Sequence, residues 1–487
     1  MKLSNATLGS LPEGIKRPTY DRTALTPGIV HIGLGNFHRA HQAWYLHQLM
    51  QLGHAQDWAI LGAGVRPYDA AMRDRLKAQD CLTTLIELDP KGQSAEVTGS
   101  MIDYIEIVEG NRPLIDAMTR EEICIVALTV TEGGYYVTAN GDFDEAHADI
   151  LHDAANPDTP RTAFGAIVCA LKARKDAGTG PFTLQSCDNL QGNGDILRQT
   201  VVGLARLSDR NLAAWIEESC TFPNSMVDCI VPATGAKEVA LAKELGIDDA
   251  APVTHENFRQ WVIEDSFCAG RPEWELAGAT FTDDVHVYEA MKIRILNAGH
   301  QVLANAAEIL SLPTIASCMQ DEDVSAFFAK VEAECIVPYV HPVPGMAPTE
   351  YADLIARRFA NPMIHDTTRR VAFDGSSRHT GFLLPILRDA IAARGSIEGL
   401  SLVEALWARM CSGQREDGTV IEPNDPMWEA LTEAAMKAKE DPAHWLEQHQ
   451  IYGDLALHGS FSESFAKWLN MLWRDGTRAT LNVYLAS

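Results

Sequence analysis

The chain has 487 residues, 46% of them hydrophobic, which is enough to bury the cores of two or three domains. Its formal charge of −26 argues against nucleic acid or an anionic membrane as a partner, because both would repel it. The ten cysteines form no closely spaced pair, so we expect reduced, mostly buried thiols. Since the first residues lack an apolar secretory core and no apolar run reaches the roughly 18 residues that span a bilayer, we expect a cytoplasmic protein.

Short apolar segments alternate with helical patterns in the first half of the chain. The predicted strands cover residues 28–32, 58–61, 82–86, 123–130 and 182–185. Such alternation is typical of βαβ units over a parallel sheet. From about Asp284 long amphipathic patterns dominate, over residues 288–312, 324–335, 381–393 and 400–411. The sequence therefore predicts an α/β domain at residues 1–283 and a mainly α-helical C-terminal domain at residues 284–487.

Two glycines, Gly33 and Gly35, follow the first predicted strand directly and precede a helical pattern. The first permits a tight turn, and the second lets the backbone approach a pyrophosphate held by the N–H groups of the next helix. His38 stands where the usual G-x-G-x-x-G fingerprint has its third glycine, so an ordinary structural turn is the alternative. The position of the glycines at the first βα junction favours a dinucleotide site, and hence a Rossmann-type N-terminal domain.

Asp69, in the segment GVRPYD at residues 64–69, follows the second predicted strand. A carboxylate there would bind the ribose hydroxyls of NAD and repel the extra phosphate of NADP. The spacing from the glycines exceeds the usual ~20 residues, and an aspartate at a helix N-terminus is the alternative interpretation. Arg66 nearby would instead favour the phosphate. NAD is therefore the expected cofactor, and NADP the less favoured one.

Lys292, Asn297 and His300 form a Lys-x4-Asn-x2-His pattern inside the segment YEAMKIRILNAGH at residues 288–300. On an α-helix of about 100° per residue, Asn297 lies about 140° and His300 about 80° from Lys292, so all three share one broad face. An amine, an amide and an imidazole there can take a proton, steady an alkoxide and orient a hydroxyl. Taken singly, a snorkelling surface lysine and a hydrogen-bonded helix histidine are the alternatives.

The sequence contains no assembled zinc site. His38 and His41 are three residues apart, but no acidic or thiolate side chain accompanies them, so we interpret them as helix histidines. An alcohol dehydrogenase without zinc needs a side chain as its base. A lysine, with a reference pKa of about 10.4, can serve only where burial or a nearby positive charge lowers that pKa. Lys292 has the apolar neighbours Met291 and Ile293, which suit this role.

Asn189 closes the segment SCDN at residues 186–189, directly after a predicted strand. The carboxyl ends of parallel strands form the ligand-facing edge of such a sheet. A carboxamide there can donate a hydrogen bond to a developing alkoxide without adding net charge. A purely structural turn is the alternative for Asn189 alone.

Together these segments resemble the polyol-specific long-chain dehydrogenases, over nearly the whole chain. The matching motifs lie at residues 31–42 (HIGLGNFHRAHQ), 131–135 (TEGGY), 186–190 (SCDNL), 222–228 (FPNSMVD), 281–285 (FTDDV), 288–300 and 374–377 (DGSS). The resemblance implies a metal-independent, NAD-dependent oxidation of a hexitol or pentitol to a ketose, and the mannitol-oxidising members are the most similar. It also implies a Rossmann-type domain and a helical domain with the active site between them, usually in a monomer.

The resemblance assigns roles to individual positions. It implies that Lys292 is the general base, that Asn189 and Asn297 are oxyanion donors, and that His300 positions the substrate. It places four further residues at the substrate, which are Asp228, Glu289, Arg370 and Arg378. Of these, Glu289 is the residue that gates proton exit from the lysine. It places seven residues at the cofactor: Gly33, Gly35, Phe37, His38, Arg66, Asp69 and Glu132.

Two positions depart from the family pattern. After residues 374–377 the mannitol-oxidising members tend to carry a lysine, where this chain has Arg378, a larger and forked donor. Tyr68 replaces an acidic residue before Asp69. The first departure leaves the polyol open among mannitol, arabinitol and sorbitol, and the second leaves the exclusion of NADP open.

Other functions are compatible with parts of the sequence. Within the family, a hexuronate reductase or a sugar-phosphate dehydrogenase would use Arg370 and Arg378 to bind an anionic substrate. A catalytically silent NAD-binding sensor would keep the glycine loop without hydride transfer. A zinc alcohol dehydrogenase would lose its activity to a chelator.

Overall fold

In a computed structural model, which describes residues 1–138 and 141–487 but not the side chain of Glu132, the chain divides into two units, Met1–His286 and Val287–Ser487. The predicted boundary after residue 283 lies just before this division. Unit 1 contains the described strands, which are β1 Pro27–Ile32, β2 Ala59–Ala63, β3 Thr83–Asp89, β4 Gly92–Thr98, β5 Met101–Tyr104, β6 Ile125–Leu128, β7 Thr183–Ser186, β8 Ser225–Asp228, β9 Val253–Glu256, β10 Gln260–Glu264 and β11 Thr280–Thr282.

The main sheet of unit 1 is parallel, with the strand order β5-β2-β1-β6-β7. Every residue of β1 is buried. Val30 and Ile32 pack into the core on one face of the sheet, whereas Ile29 packs into the core on the other. A strand covered on both faces needs a continuous apolar run, which is what residues 29–32 supply around His31. This is the predicted Rossmann-type architecture.

The helices of unit 1 connect these strands and cover the sheets. They are α1 Asn36–Ala40, α2 Gln42–Gln51, α3 Ala70–Lys77, α4 Arg112–Met118, α5 Ala148–Ala155, α6 Ala163–Ala177, α7 Asn193–Ser208, α8 Arg210–Ser219 and α9 Ala236–Glu244. Among the residues that the structure describes, no helix of either unit is long and apolar enough to cross a membrane.

The predicted strand at residues 82–86 does not belong to the main sheet, and its assignment to a parallel sheet was wrong. It is β3, which pairs antiparallel with β4 and parallel with β9 in a separate sheet of order β4-β3-β9. The register pairs Asp89 with Gly92, so Pro90 and Lys91 form a two-residue hairpin turn, a local signal that the parallel interpretation overlooked. The main sheet instead gains β5, whose four residues include the polar Asp103 and carry little periodicity.

Unit 2 is largely helical, as predicted. Its helices, the first of which starts at the end of unit 1, are α10 His286–Lys292, α11 Ala298–Ile309, α12 Ile315–Gln320, α13 Glu322–Val331, α14 Pro348–Phe359, α15 Thr368–Val371, α16 Gly375–Arg378, α17 Leu384–Ala392, α18 Glu398–Met410, α19 Trp428–Ala438, α20 Ala443–Leu446, α21 His449–Tyr452, α22 Gly459–Asp475 and α23 Thr477–Leu485. Three π-helical turns continue α10, α13 and α16, and they span Ile293–Asn297, Glu332–Ile336 and His379–Leu383.

A buried polar network connects α11 to the rest of unit 2. Asn305 Nδ2 and His379 Nε2 lie 3.0 Å apart, and His379 Nδ1 is 2.8 Å from a Glu404 carboxylate oxygen. The hydroxyl of Tyr452 donates to the other oxygen of Glu404 at 2.8 Å. Buried polar groups that are mutually satisfied hold their elements in one arrangement, so α11 has a fixed position within unit 2.

Candidate active site

The glycine loop follows β1, and its first glycine cannot be replaced without strain. Gly33 has φ +96°, and a Cβ built there would lie 1.9 Å from the backbone oxygen of Thr129. Gly35 has an ordinary φ of −73° at the N-terminus of α1, and a Cβ there would meet nothing within 4 Å among the described residues. The first glycine therefore makes the turn. The second leaves an open backbone surface beside helix N–H groups, which fits the close approach of a dinucleotide pyrophosphate.

Phe37 and His38 lie on α1 directly after this loop. Phe37 is half-buried and stacks on His41, with ring centroids 4.8 Å apart. His38 is 1% exposed and stacks on His31 at 3.4 Å, and burial holds its pKa well below the usual range. The neutral His38 ring thus supports the loop from inside, so only its backbone is left to contact a ligand. No three His, Cys, Asp or Glu side chains of the described residues form a group that could hold a metal ion.

Asp69 and Arg66 lie in the loop after β2. Asp69 Oδ2 accepts hydrogen bonds from the backbone N–H groups of Val65 and Arg66, at 3.1 and 3.0 Å. Its Oδ1 accepts no hydrogen bond from the described residues, which suits a ribose hydroxyl. The Arg66 guanidinium is 3.1 Å from the Asp149 carboxylate and donates to the Tyr136 hydroxyl at 3.0 Å. Because its charge already has a partner, Arg66 is less suited to an additional phosphate.

Asp188 connects the loops after β6 and β7. Its carboxylate accepts from the backbone N–H groups of Val130 and Thr131 and from the hydroxyl of Tyr135, at 2.9, 3.0 and 2.6 Å. Asn189, the next residue, is exposed. Glu132 has its backbone in the same loop after β6, in a 3-10 turn, while its side chain lies outside what the structure describes.

Asn193 brings the segment of Asn189 to the segment of Asp228. Its side-chain Nδ2 donates to the backbone oxygens of Asp188 and Ser225, at 3.0 and 2.8 Å. Asp228 ends β8 and is 6% exposed. Two of the predicted site residues, Asn189 and Asp228, are therefore held on neighbouring segments of unit 1.

Lys292 ends α10 and is only 7% exposed, so it is a buried lysine and not a surface lysine. Glu289, one turn earlier, is buried as well. Met291, the apolar residue before Lys292, is 3% exposed.

The helix through Lys292 is not the regular α-helix that the sequence predicts. The π turn Ile293–Asn297 separates Lys292 from Asn297. A π turn closes i→i+5 hydrogen bonds and advances about 80° per residue, so Asn297 lies about 40° from Lys292 instead of about 140°. Three further α-helical steps bring His300 to within about 20° on the other side of Lys292. The π turn therefore places the three polar side chains on a narrower face than a regular helix would.

His300 lies within unit 2 beside an ion pair that the sequence reading missed. Its ring stacks on Phe359 with centroids 4.2 Å apart. Its Nε2 is 3.8 Å from Asp366 Oδ2, and the Asp366 carboxylate also binds Arg370. Burial is the main cause that lowers the pKa of His300 to about 4, so the imidazole is neutral near pH 7. The Asp-x3-Arg spacing of Asp366 and Arg370 was the available sequence signal.

Arg378, predicted at the substrate, ends α16. Its Nη1 donates to the backbone oxygen of Val371 at 2.8 Å. Gln301 Nε2 on α11 donates to the same oxygen at 3.1 Å. Arg378 and the helix that carries His300 are thus fixed to one common backbone group.

Glu332, in the second π turn, is a buried carboxyl group that no sequence pattern indicated. It is 3% exposed, and neither oxygen has a hydrogen-bond partner among the described residues. A Cβ at Gly299, between Ala298 and His300, would lie 2.6 Å from Glu332 Oε1. Burial raises the pKa of Glu332 well above its usual range, so the group is a neutral acid packed against the helix of the candidate site.

We predict that Glu332→Gln stabilises the protein increasingly as the pH rises. Because the pKa of Glu332 is raised in the folded state, wild-type stability falls as pH rises above the unfolded-state value, by up to about 1.4 kcal/mol per pH unit. Glutamine does not ionise and lacks this loss. The difference in Tm between variant and wild type should grow from about pH 5 to about pH 8. Glu334→Gln, on the exposed side of the same turn, is the control, and an equal difference at both pH values would contradict the prediction.

Comparison with known protein families covers both units. Residues 27–276 match the family described as Mannitol dehydrogenase Rossmann domain, and residues 284–473 match the Mannitol dehydrogenase C-terminal domain. The chain is 54% identical to a mannitol 2-dehydrogenase of Cereibacter sphaeroides, over 98% of this chain and 100% of that protein. It is 38% identical to a mannitol 2-dehydrogenase of Phaeosphaeria nodorum, over 99% of this chain and 86% of that protein.

Two solved structures resemble the chain over its whole length. One is the Pseudomonas fluorescens mannitol 2-dehydrogenase in a ternary complex with NAD and D-mannitol, with a TM-score of 0.86 and 38% identity over 100% of both chains. The other is a D-sorbitol dehydrogenase in substrate-free form, with a TM-score of 0.92 and 33% identity over 99% of this chain and 100% of that one.

Proposed function

Since the chain belongs to the mannitol dehydrogenase family and is an NAD-dependent polyol oxidoreductase, we propose that it oxidises mannitol to fructose with Lys292 as the general base. A related polyol such as arabinitol or sorbitol is the alternative substrate. The observation that carries the proposal is the burial of Lys292 directly before the π turn that aligns it with Asn297 and His300. The remaining expectations, a cytoplasmic monomer that binds neither nucleic acid nor membrane, stay predictions.

The glycine loop of unit 1 is the proposed binding site of the cofactor. Gly33 makes a turn that only glycine allows, and Gly35 presents open backbone. The free oxygen of Asp69 would bind a ribose hydroxyl, while Arg66 is already paired with Asp149, an arrangement that favours NAD over NADP. NAD, when bound, accepts the hydride that leaves the alcohol carbon.

Side chains of the protein accept the hydroxyl proton of the substrate and stabilise the oxygen that remains. Lys292 in its neutral form takes the hydroxyl proton, and Glu289, one helical turn away, is the proposed route by which that proton leaves. Asn189 and Asn297 donate amide hydrogen bonds to the developing alkoxide. His300, neutral near pH 7, exchanges a hydrogen bond with a substrate hydroxyl. The products are a ketone, one proton and a hydride transferred to the cofactor.

Uncharged polyols suit this site better than anionic sugars. A carboxylate or phosphate substrate needs uncompensated positive charge. The guanidinium of Arg370 is held in a two-point contact by the Asp366 carboxylate, with both distances 2.7 Å. This contact removes one of the two arginines on which a hexuronate reductase or a sugar-phosphate dehydrogenase would depend.

A substrate panel tests the proposal. We expect NAD reduction, followed by absorbance of the reduced cofactor, with mannitol, arabinitol or sorbitol, and much less with mannitol 1-phosphate. In the reverse direction, fructose should be reduced and fructuronate should not. Activity should survive a chelator, since the base is a side chain. Turnover of anionic sugars alone would replace the proposal by the hexuronate or sugar-phosphate function, and cofactor binding without any turnover would favour a sensor.

A further inference from the structure

Asp366 is a buried carboxylate held firmly between two helices of unit 2. It lies between α14 and α15, and its backbone oxygen accepts from the N–H of Ile315 at 3.0 Å. Next to it, Thr367 forms a bridge with Thr314. Only 7% of the Asp366 side chain is exposed. A carboxylate in this position keeps a fixed direction relative to its neighbours.

The Asp366 carboxylate neutralises an exposed arginine. Arg370 Nε donates to Oδ1 and Nη2 donates to Oδ2, both at 2.7 Å, a bidentate geometry that matches the guanidinium fork. Yet 60% of the Arg370 side chain is exposed, and Nη1 has no hydrogen-bond partner among the described residues. Arg370 therefore presents hydrogen-bond donors without presenting a net charge.

The same carboxylate also faces His300. Asp366 Oδ2 is 3.8 Å from His300 Nε2, which is too far for a hydrogen bond but near enough to favour the proton on that nitrogen. Nδ1 of His300 is then left as an acceptor. The Asp366 carboxylate thus cancels the charge of the Arg370 guanidinium, which stays protonated and still donates, and it leaves Nδ1 of His300 as an acceptor. A polyol hydroxyl can use this donor and this acceptor.

We propose that Asp366 is a specificity-determining residue that shifts the preference of the site toward uncharged polyols by cancelling the charge of Arg370, one of the two arginines predicted at the substrate. The inference deepens the proposed function and rests on Arg370 and His300 contacting the substrate. An anionic sugar gains no charge attraction from Arg370, because the Arg370–Asp366 ion pair has no net charge. A neutral hydroxyl keeps its hydrogen bonds, because it needs only a donor and an acceptor.

Asp366→Asn tests the proposal through a ratio of substrates. The ratio of kcat/KM for mannitol to kcat/KM for mannitol 1-phosphate should fall by about 10-fold or more, because the freed guanidinium attracts the phosphate. KM should carry most of the change for both substrates. Asp366→Glu keeps the charge and should restore much of the wild-type ratio. Asp454→Asn removes another arginine-paired carboxylate, the exposed partner of Arg388, and should leave the ratio unchanged.

The outcomes separate this inference from the proposed function. If Asp366 only supports the fold, Asp366→Asn lowers kcat/KM for both substrates equally, and an unchanged ratio overturns the inference. If Asp366→Asn is too unstable to assay, Arg370→Gln alone carries the test, because it leaves the negative charge of Asp366 without its arginine. The ratio of kcat/KM for mannitol to kcat/KM for mannitol 1-phosphate should then rise above the wild-type value, and an unchanged or lower ratio would overturn the inference. A wild-type enzyme that oxidises no neutral polyol would overturn the proposed function whatever Asp366 does.

Discussion

Lys292→Ala should lower kcat by about 10²-fold or more, which is the low end of what a general base contributes. The lysine is buried at the end of α10, so its loss removes the amine and leaves a cavity in its place. NADH affinity, followed by fluorescence titration, should change little, because the cofactor loop belongs to unit 1. Added methylamine or ethylamine should enter the cavity and restore part of the rate, measured by absorbance of the reduced cofactor.

Two further variants make the result specific to the amine. Lys292→Met keeps an unbranched chain that fills the cavity, so it should be as slow as Lys292→Ala but should not respond to added amines. Lys437→Ala removes an exposed lysine of the same unit, paired with Glu433, and should keep wild-type activity. Near-normal turnover in Lys292→Ala would remove this residue from the mechanism.

Gly33→Ala and Gly35→Ala should fail in different ways. At Gly33 a methyl group would occupy the position of the Thr129 backbone oxygen, and alanine is strained at φ +96° by about 1–2 kcal/mol before any clash is counted. This variant should lose stability as well as NAD affinity. At Gly35 the methyl group meets no described residue and the φ is ordinary, so Tm should stay within a few degrees of wild type.

The loss in Gly35→Ala should appear only when the cofactor is added. We expect its Kd for NAD to rise by about 10-fold or more, because the methyl group takes the space through which a pyrophosphate approaches the backbone. Thermal denaturation with and without NAD measures both effects. Gly53→Ala, at an open and left-handed position elsewhere in unit 1, controls for backbone strain alone. Normal NAD affinity in Gly35→Ala would mean that the loop is structural only.

The sequence predicts those parts of the fold that depend on local pattern. The apolar runs at residues 28–32, 58–61, 123–130 and 182–185 overlap with β1, β2, β6 and β7 of the main sheet, and the amphipathic patterns after residue 284 become helices. The placement of β3 was wrong because apolar content does not distinguish a parallel neighbour from a hairpin partner, although the turn at Pro90 and Lys91 does. β5 was missed because its four residues show no clear alternation of apolar and polar side chains, and they form a strand through pairing with β2.

The sequence proposes the candidate site as a set of residues, whose roles stay predictions, but it does not give the geometry of the site. A π turn leaves the apolar periodicity on either side intact, so the segment through Lys292 and Asn297 looks like an ordinary helix in sequence. Asp366 is four residues from Arg370, a readable spacing, but its approach to His300 depends on how α14 and α15 pack against α11. Glu332 could not be anticipated, since a glutamate in an amphipathic helix is normally exposed.

The π turn at Ile293–Asn297 also changes the angular positions of the residues before it relative to those after it. A regular α-helix buries one apolar face. Turning such a helix to bring polar side chains onto one face would also turn its apolar side chains away from the interior. The extra residue of the π turn rotates the helix after the turn relative to the helix before it. Met291 before the turn and Val302 after it are both buried. The direction of the polar side chains of the candidate site can therefore change without changing which apolar side chains of the helix are buried.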